Sequence, residues 1–334
     1  MWQQRSPPRS GGALIGAPMS GASAVRLVVL SCIWGASFLF IKIGLEGLTP
    51  MQVVTARVVS GAAVLVATVV ARRLAVPRSA VLWGHLTVLA VLANLVPFFL
   101  FAWAEQRIGS GMAGILNGTT PLLTLAVAVA VLPEERVTSA RLGGMVLGFA
   151  GVVLIVGPWR DDAGGGTLSG QLACVGAAAC YGVTFVYTRR FVVSRGEPLL
   201  LMAAGQLTAA SLLLVVLAPF VVRDPVDLTA PVVGSVLTLG VVGTGLAYLL
   251  YYALVRDEGA TTASMVTYLI PIVAVALGVV VRDEPVAWNT LAGAAVVIFG
   301  VALAEGRIGV GGLSATVPEV ECPVPLPVPD DVRD

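Results

Sequence analysis

Charge is scarce in this chain: Asp, Glu, Lys and Arg make up 12% of its 334 residues, Lys42 is the one lysine and His85 the one histidine. A soluble domain carries about twice that charged fraction, so water is not the main solvent here. A net charge of +1 leaves no basic excess to gather on one surface, which argues against a nucleic-acid partner. Lys42 lies in no Gly-x-x-x-x-Gly-Lys-Ser/Thr loop, so no nucleotide-driven pump is encoded. His-Glu-x-x-His, Gly-x-Ser-x-Gly with a histidine, and paired mid-span aspartates are all missing, which argues against an intramembrane enzyme. Cys32, Cys174 and Cys180 sit inside apolar runs and Cys322 stands alone near the end, so neither a disulfide framework nor a metal site is expected, and no cofactor.

What remains is apolar, with 57% hydrophobic residues and a mean hydropathy of +0.93. A spanning helix needs ~20 mostly apolar residues, each advancing ~1.5 Å through a core ~30 Å thick. About ten runs approach that length: Leu27 to Leu45, Met51 to Ala71, Val81 to Trp103, Ile108 to Leu132, Leu142 to Gly157, Leu168 to Thr188, Pro198 to Val222, Pro231 to Val255, Ala260 to Val281 and Val286 to Ala304. They are apolar on every face, where barrel strands would alternate, so an all-α polytopic membrane protein with ten transmembrane helices is predicted. Residues 1–23, rich in Gly, Ser, Pro and Arg, read as a disordered leader, and residues 309–334 as a disordered Pro-rich tail.

Arginine marks the cytoplasmic side. Arg5, Arg9, Arg26, Arg72, Arg73, Arg78, Arg136, Arg141, Arg189, Arg190, Arg195, Arg256 and Arg307 fall on one side, against Lys42, Arg107, Arg160, Arg223 and Arg282 on the other. Both termini are therefore expected in the cytoplasm, with the helices in the plasma or inner membrane. A shift of about 150 residues lays Gly109 on Gly259, Ala113 on Ala263, Pro121 on Pro271, Glu134 on Glu284, Gly143 on Gly293 and Phe149 on Phe299. Residues 24–158 and 168–306 thus read as two copies of a five-helix unit. Five is odd, so the copies form inverted repeats, and a site at their interface can face either side in turn.

These residues resemble the EamA-type members of the drug/metabolite transporter superfamily over roughly residues 25–305. The likeness is carried by Trp34-Gly35-Ala36-Ser37-Phe38 with Lys42, by Arg57, and by Glu105-Gln106-Arg107-Ile108-Gly109 leading to Pro121. Glu134-Glu135 and the second-half Gly259, Ala263, Pro271 and Glu284 complete it. The resemblance implies a ten-helix carrier of small metabolites or drugs working by alternating access, with a cavity lined by the third, fourth, eighth and ninth helices and parts of the first and sixth. The long Pro-rich tail and the single lysine depart from the family pattern.

Pro121 and Pro271 interrupt corresponding helices, which marks them as hinges beside a site or as bends made for packing. Asn117, Thr119 and Thr120 surround the first, Thr267 and Tyr268 the second. Tyr248, Tyr251 and Tyr252 share a helical face; Tyr248 is assigned to the cavity, the other two to an interfacial belt. Trp34 and Phe38, one turn apart, are mirrored by Tyr181 and Phe185, either as paired gates or as packing. Asn94 and Trp103 add cavity candidates in the third helix. Arg57 is the one cation well inside a span, and it either snorkels, finds an internal partner or holds a substrate carboxylate.

No Asp or Glu falls near the middle of a span, so facilitated flux or exchange is expected in preference to proton coupling. Glu105 is placed at the outer end of the third helix, Asp257 and Glu258 at the inner end of the eighth, and His85 at the interface. Gly114 and Gly118, and Gly144 and Gly148, form Gly-x-x-x-Gly patterns that pack helices within one chain or in a homodimer. The function expected is secondary transport of a small organic solute, amino-acid-like export being one form, with an intramembrane enzyme or a passive channel as the alternatives. The partners expected are that solute and the lipid bilayer.

Overall fold

The computed structural model describes residues 20–132, 138–157, 165–192, 198–221 and 224–304. Glu134 and Glu135, most of the leader and the whole tail lie outside them. Among the described residues there is no strand, and the helices are α1 (Gly21–Gly44), α2 (Pro50–Ala71), α3 (Ala80–Glu105), α4 (Ser110–Val131), α5 (Ser139–Val156), α6 (Thr167–Phe191), α7 (Leu199–Pro219), α8 (Ala230–Gly259), α9 (Val266–Arg282) and α10 (Trp288–Ala304). The first eight are long and apolar enough to cross a membrane; α9 and α10 are shorter apolar helices.

Small polar residues start these helices. Thr49 and Gln52 form a reciprocal capping box ahead of Pro50, and the side chains of Ser20, Ser79 and Thr138 each accept a first-turn amide. Within the helices hydroxyls bond back to carbonyls four residues earlier, as Ser31 does to Leu27 (2.8 Å) and Thr208 to Ala204 (2.7 Å), so they present no unsatisfied donor to an apolar surrounding. Large side chains such as Val280 (79% exposed) and Val216 (71%) stand on the outside, as a lipid-facing surface requires.

Helix pairing repeats along the chain. α1 packs on α9 as α6 packs on α4; α2 lies on α8 as α7 lies on α3; α2 meets α7, α4 meets α9, and α5 meets α10. The repeat reaches single residues. A Cβ on Gly35 would strike Val273 of α9, and one on Gly182 would strike Leu123 and Thr124 of α4. The tightest pair is α5 with α10, where Gly144, Gly148 and Gly151 face Gly293, Val297, Gly300 and Ala304 almost backbone to backbone. The glycines of the Gly144-x-x-x-Gly148 pattern are therefore occupied within the chain.

Two interruptions were not foreseen from sequence. α3 carries a π-helical segment at Ala90–Leu95 and α8 one at Thr238–Leu246. Asn94 Nδ2 donates to the carbonyl of Leu89 (3.5 Å), and Thr244 Oγ1 donates to that of Leu239 (3.0 Å), five residues back in both cases. Each polar side chain thus serves a carbonyl of the widened turn. Pro121 stands in the first turn of a helical piece that restarts after a break at Gly118–Thr119, not in the middle of an unbroken helix. Pro271 does lie inside α9, against Gly118 of α4.

At Gly144 even a methyl group would come within 2.5 Å of the Gly300 carbonyl oxygen, whereas its neighbour Gly143 has nothing within 4 Å. Gly144→Ala should therefore lower the thermal midpoint of the purified protein in detergent, at a cost of about 1–3 kcal/mol. Gly143→Ala should leave the midpoint unchanged or raise it slightly.

Candidate functional site

The helices that cross near the two π-helical segments turn their few polar residues toward one another. Arg57 of α2 is 9% exposed; its Nε donates to Thr244 Oγ1 (3.1 Å) and its guanidinium lies 3.8 Å over the Phe98 ring of α3. The phenols of Tyr181 and Tyr248 and the carboxyl of Glu105 are its electrostatic neighbours. No carboxylate lies within ion-pair distance of it among the described residues. Of the alternatives read from sequence, the geometry supplies the internal partner: Arg57 is buried against α3 and α8.

Around this cation the aromatics are in contact. Phe38 meets Phe101 edge to face (5.4 Å between centroids), and Phe101 stacks on Tyr181 (6.2 Å). On the other side Trp34 meets Tyr251 (5.6 Å), Tyr251 meets Tyr252 (5.7 Å), and Tyr252 stacks on Tyr248 (5.8 Å). Gln206 of α7 reaches the Tyr248 hydroxyl at 3.4 Å. Trp34, Tyr181, Tyr248, Tyr251 and Tyr252 are all half-buried. Tyr251 and Tyr252, assigned to the interfacial belt from sequence, belong to this same aromatic series.

The remaining predicted residues divide. Asn94 is fully buried, with its Oδ1 accepting no hydrogen bond. Thr120 and Thr267 donate to the carbonyls of Asn117 and Ser264 (2.7 Å each), which makes them keepers of the helix breaks. Asn117 and Tyr268 are half-buried, Tyr268 packing on the main apolar core. Trp103 is not brought to the cluster: Arg107 lies 3.5 Å over its ring at the end of α3, where both cover the turn into α4. Sequence reasoning missed Thr244 and Gln206, although Thr244 is the repeat counterpart of Asn94, which that reasoning had singled out.

One end of the bundle is tied across its two halves. Glu284 accepts from the amides of Ser110 (2.8 Å) and Gly111 (2.9 Å) and from the Ser110 hydroxyl (2.9 Å), capping α4 from the segment after α9. Nearby, Arg282 pairs with Glu46 (2.6 Å), the Asp227 amide donates to the Gly47 carbonyl (2.9 Å) and Gln52 to that of Asp224 (3.1 Å). At the opposite end Arg26 pairs with Asp257, and the Ser20 amide donates to Glu258 (3.4 Å).

A helical membrane protein with a polar, aromatic-lined centre shared by several helices is the architecture of a membrane transporter. The chain belongs to the EamA-like transporter family, whose profile matches residues 22–157 and again 168–305. It is 26% identical over 283 residues to an uncharacterized transporter of Archaeoglobus fulgidus, covering 83% of this chain and 96% of that one. It is 25% identical over 295 residues to the uncharacterized inner membrane transporter YedA of Escherichia coli K12, covering 86% and 90%, and 27% identical over 305 residues to a chloroplastic WAT1-related protein of Arabidopsis thaliana, covering 88% and 72%. A crystal structure shares the fold with a TM-score of 0.59 at 20% identity, over 85% of this chain and 96% of that chain.

Thr244→Val keeps the shape of the side chain and removes both the oxygen that receives Arg57 and the donor to Leu239. The variant should insert and fold with a lower thermal midpoint, a loss of about 1–3 kcal/mol, because a buried guanidinium N–H is left without its partner. Thr208→Val, which touches no cation, should change the midpoint far less.

Proposed function

We propose that this protein is a secondary carrier that moves a small organic solute bearing a carboxylate and an apolar or aromatic body, amino-acid-like compounds among them, across a plasma or inner membrane by alternating access. The observation that carries the reading is Arg57: a buried guanidinium, fixed by Thr244 and Phe98, ringed by tyrosines, and without a carboxylate partner among the described residues. A guanidinium in that setting gains most from an incoming carboxylate, while Tyr181, Tyr248 and Trp34 offer ring faces to the remainder of the solute.

The two five-helix units sit upside down relative to one another, with all ten helices spanning and both termini in the cytoplasm. The repeated helix pairings and the matched π-helical segments support this arrangement. In that orientation the end tied by Glu284 is the outer one, and the described conformation is closed toward the outside. Turnover exchanges that closure for an equivalent one at the end of Asp257.

The test is flux in liposomes holding purified protein, with 3-phenylpropionate and L-phenylalanine as probes. Uptake should saturate and should be stimulated by the same probe inside the vesicle; linear uptake without such stimulation would mean a passive pore. Arg57→Gln should lower probe uptake at least tenfold, and Asn117→Ala, Tyr248→Ala and Tyr268→Ala should lower it more than they lower folded yield. Equal losses in flux and yield would make these residues packing elements only.

A further inference from the structure

One ionisable group has no part in the cycle just described. Glu105, the last residue of α3, is 0% exposed, and neither of its carboxylate oxygens accepts a hydrogen bond from any described residue. A charged carboxylate buried without donors is among the most costly arrangements a protein interior can hold, and the neutral acid is the form such a place accepts. The groups facing it come from every helix packed on this part of α3: Lys42 of α1, Arg57 of α2 and Cys174 of α6, with Glu284 beyond the start of α4. Ser110, at that start, brings only a hydroxyl, already donated to Glu284 (2.9 Å).

Lys42 does not bond the Glu105 side chain. Its ammonium donates instead to the main-chain carbonyls of Glu105 and Ile108 (2.9 Å to Ile108), pinning the turn from α3 into α4. Immediately after that turn come Ser110 and Gly111, the two residues held by Glu284. A buried acid, the single lysine and the tie that shuts this end of the bundle therefore lie within one short stretch of structure.

We propose that Glu105 is a proton-binding site that takes up and releases one proton in each transport cycle, and that its ionisation opens the end of the bundle closed by Glu284. As the neutral acid, Glu105 leaves Lys42 on the two carbonyls and the turn stays pinned. On ionisation the O–H bond breaks, the proton passes to the water that enters at this end, and the electron pair remains on the carboxylate. That carboxylate is a stronger acceptor for Lys42 than a carbonyl and repels Glu284. Lys42 moves to it, the turn is released, and the cap on α4 loosens. The inference rests on the carrier reading only for the words "transport cycle"; proton binding and opening stand without it.

Two measurements without any solute decide it. Infrared difference spectra of the purified protein in lipid should show, at neutral pH, the carbonyl stretch of a protonated carboxylic acid that disappears in Glu105→Gln. In a cysteine-free background, nitroxide labels at Gln106 and Pro285, exposed on the two sides of the Glu284 tie, should move apart as pH rises. In Glu105→Gln they should stay at the short distance at every pH. Should Glu105→Gln fail to fold, Glu105→Met, of similar volume and without a proton to lose, takes its place in both experiments. Absence of the infrared band, or its survival in the variant, overturns proton binding; an inter-label distance with the same pH response in the variant overturns the coupling to opening. Lack of probe flux in liposomes would count against the carrier reading and leave both results intact.

Discussion

Lipid offers no hydrogen bonds and no advantage to burying one apolar side chain against another, and that constraint orders this molecule. Helices are held together where glycine lets backbones touch, as Gly144, Gly148 and Gly151 do against Gly293 and Gly300, and as Gly35 and Gly182 do on opposite sides of the centre. Polar groups cannot face outward into lipid. They collect where helices cross, and the carbonyls of the π-helical segments receive the first of them. Asn94 and Thr244 are the residues so used, and Thr244 in turn fixes Arg57.

This arrangement links packing to the polar centre. An Arg57 that spent its charge on a nearby carboxylate would be a structural anchor. It is held instead by a hydroxyl and an aromatic face, with the phenols of Tyr181 and Tyr248 as its neighbours. Glu105 lies close enough to feel Arg57 and forms no ion pair with it, so the centre holds a cation and an acid that do not satisfy one another. The cap of Glu284 on α4 lies close by: three hydrogen bonds that tie the start of α4 to the segment after α9.

Much of the fold was legible in the sequence because lipid imposes long apolar runs and a repeat survives as spaced Gly, Pro and Glu. The all-helical class and the approximate positions of the apolar helices followed from that, eight of them long enough to span and two shorter; Tyr251 and Tyr252, read as interfacial, were not placed beside Trp34 and Tyr248. The π-helical segments did not, since a widened turn depends on one polar side chain meeting a carbonyl five residues back, and Asn94 reads equally well as a cavity residue. Trp103, read as a cavity aromatic, carries Arg107 on its ring, a partner four residues away. Glu105 itself, placed at a helix end by its position in the run, was taken as peripheral; its complete burial arises from α1, α2 and α6 closing over it, which no local pattern records.

The claim on which the account turns is that the two five-helix units oppose one another across the membrane. Cysteines introduced singly at Arg73 and at Asp227, and reacted with a membrane-impermeant maleimide in intact cells and in inverted vesicles, measure it directly. Labelling of Asp227→Cys from outside and of Arg73→Cys only from the cytoplasmic face is the result predicted; labelling of both from the same face would contradict it.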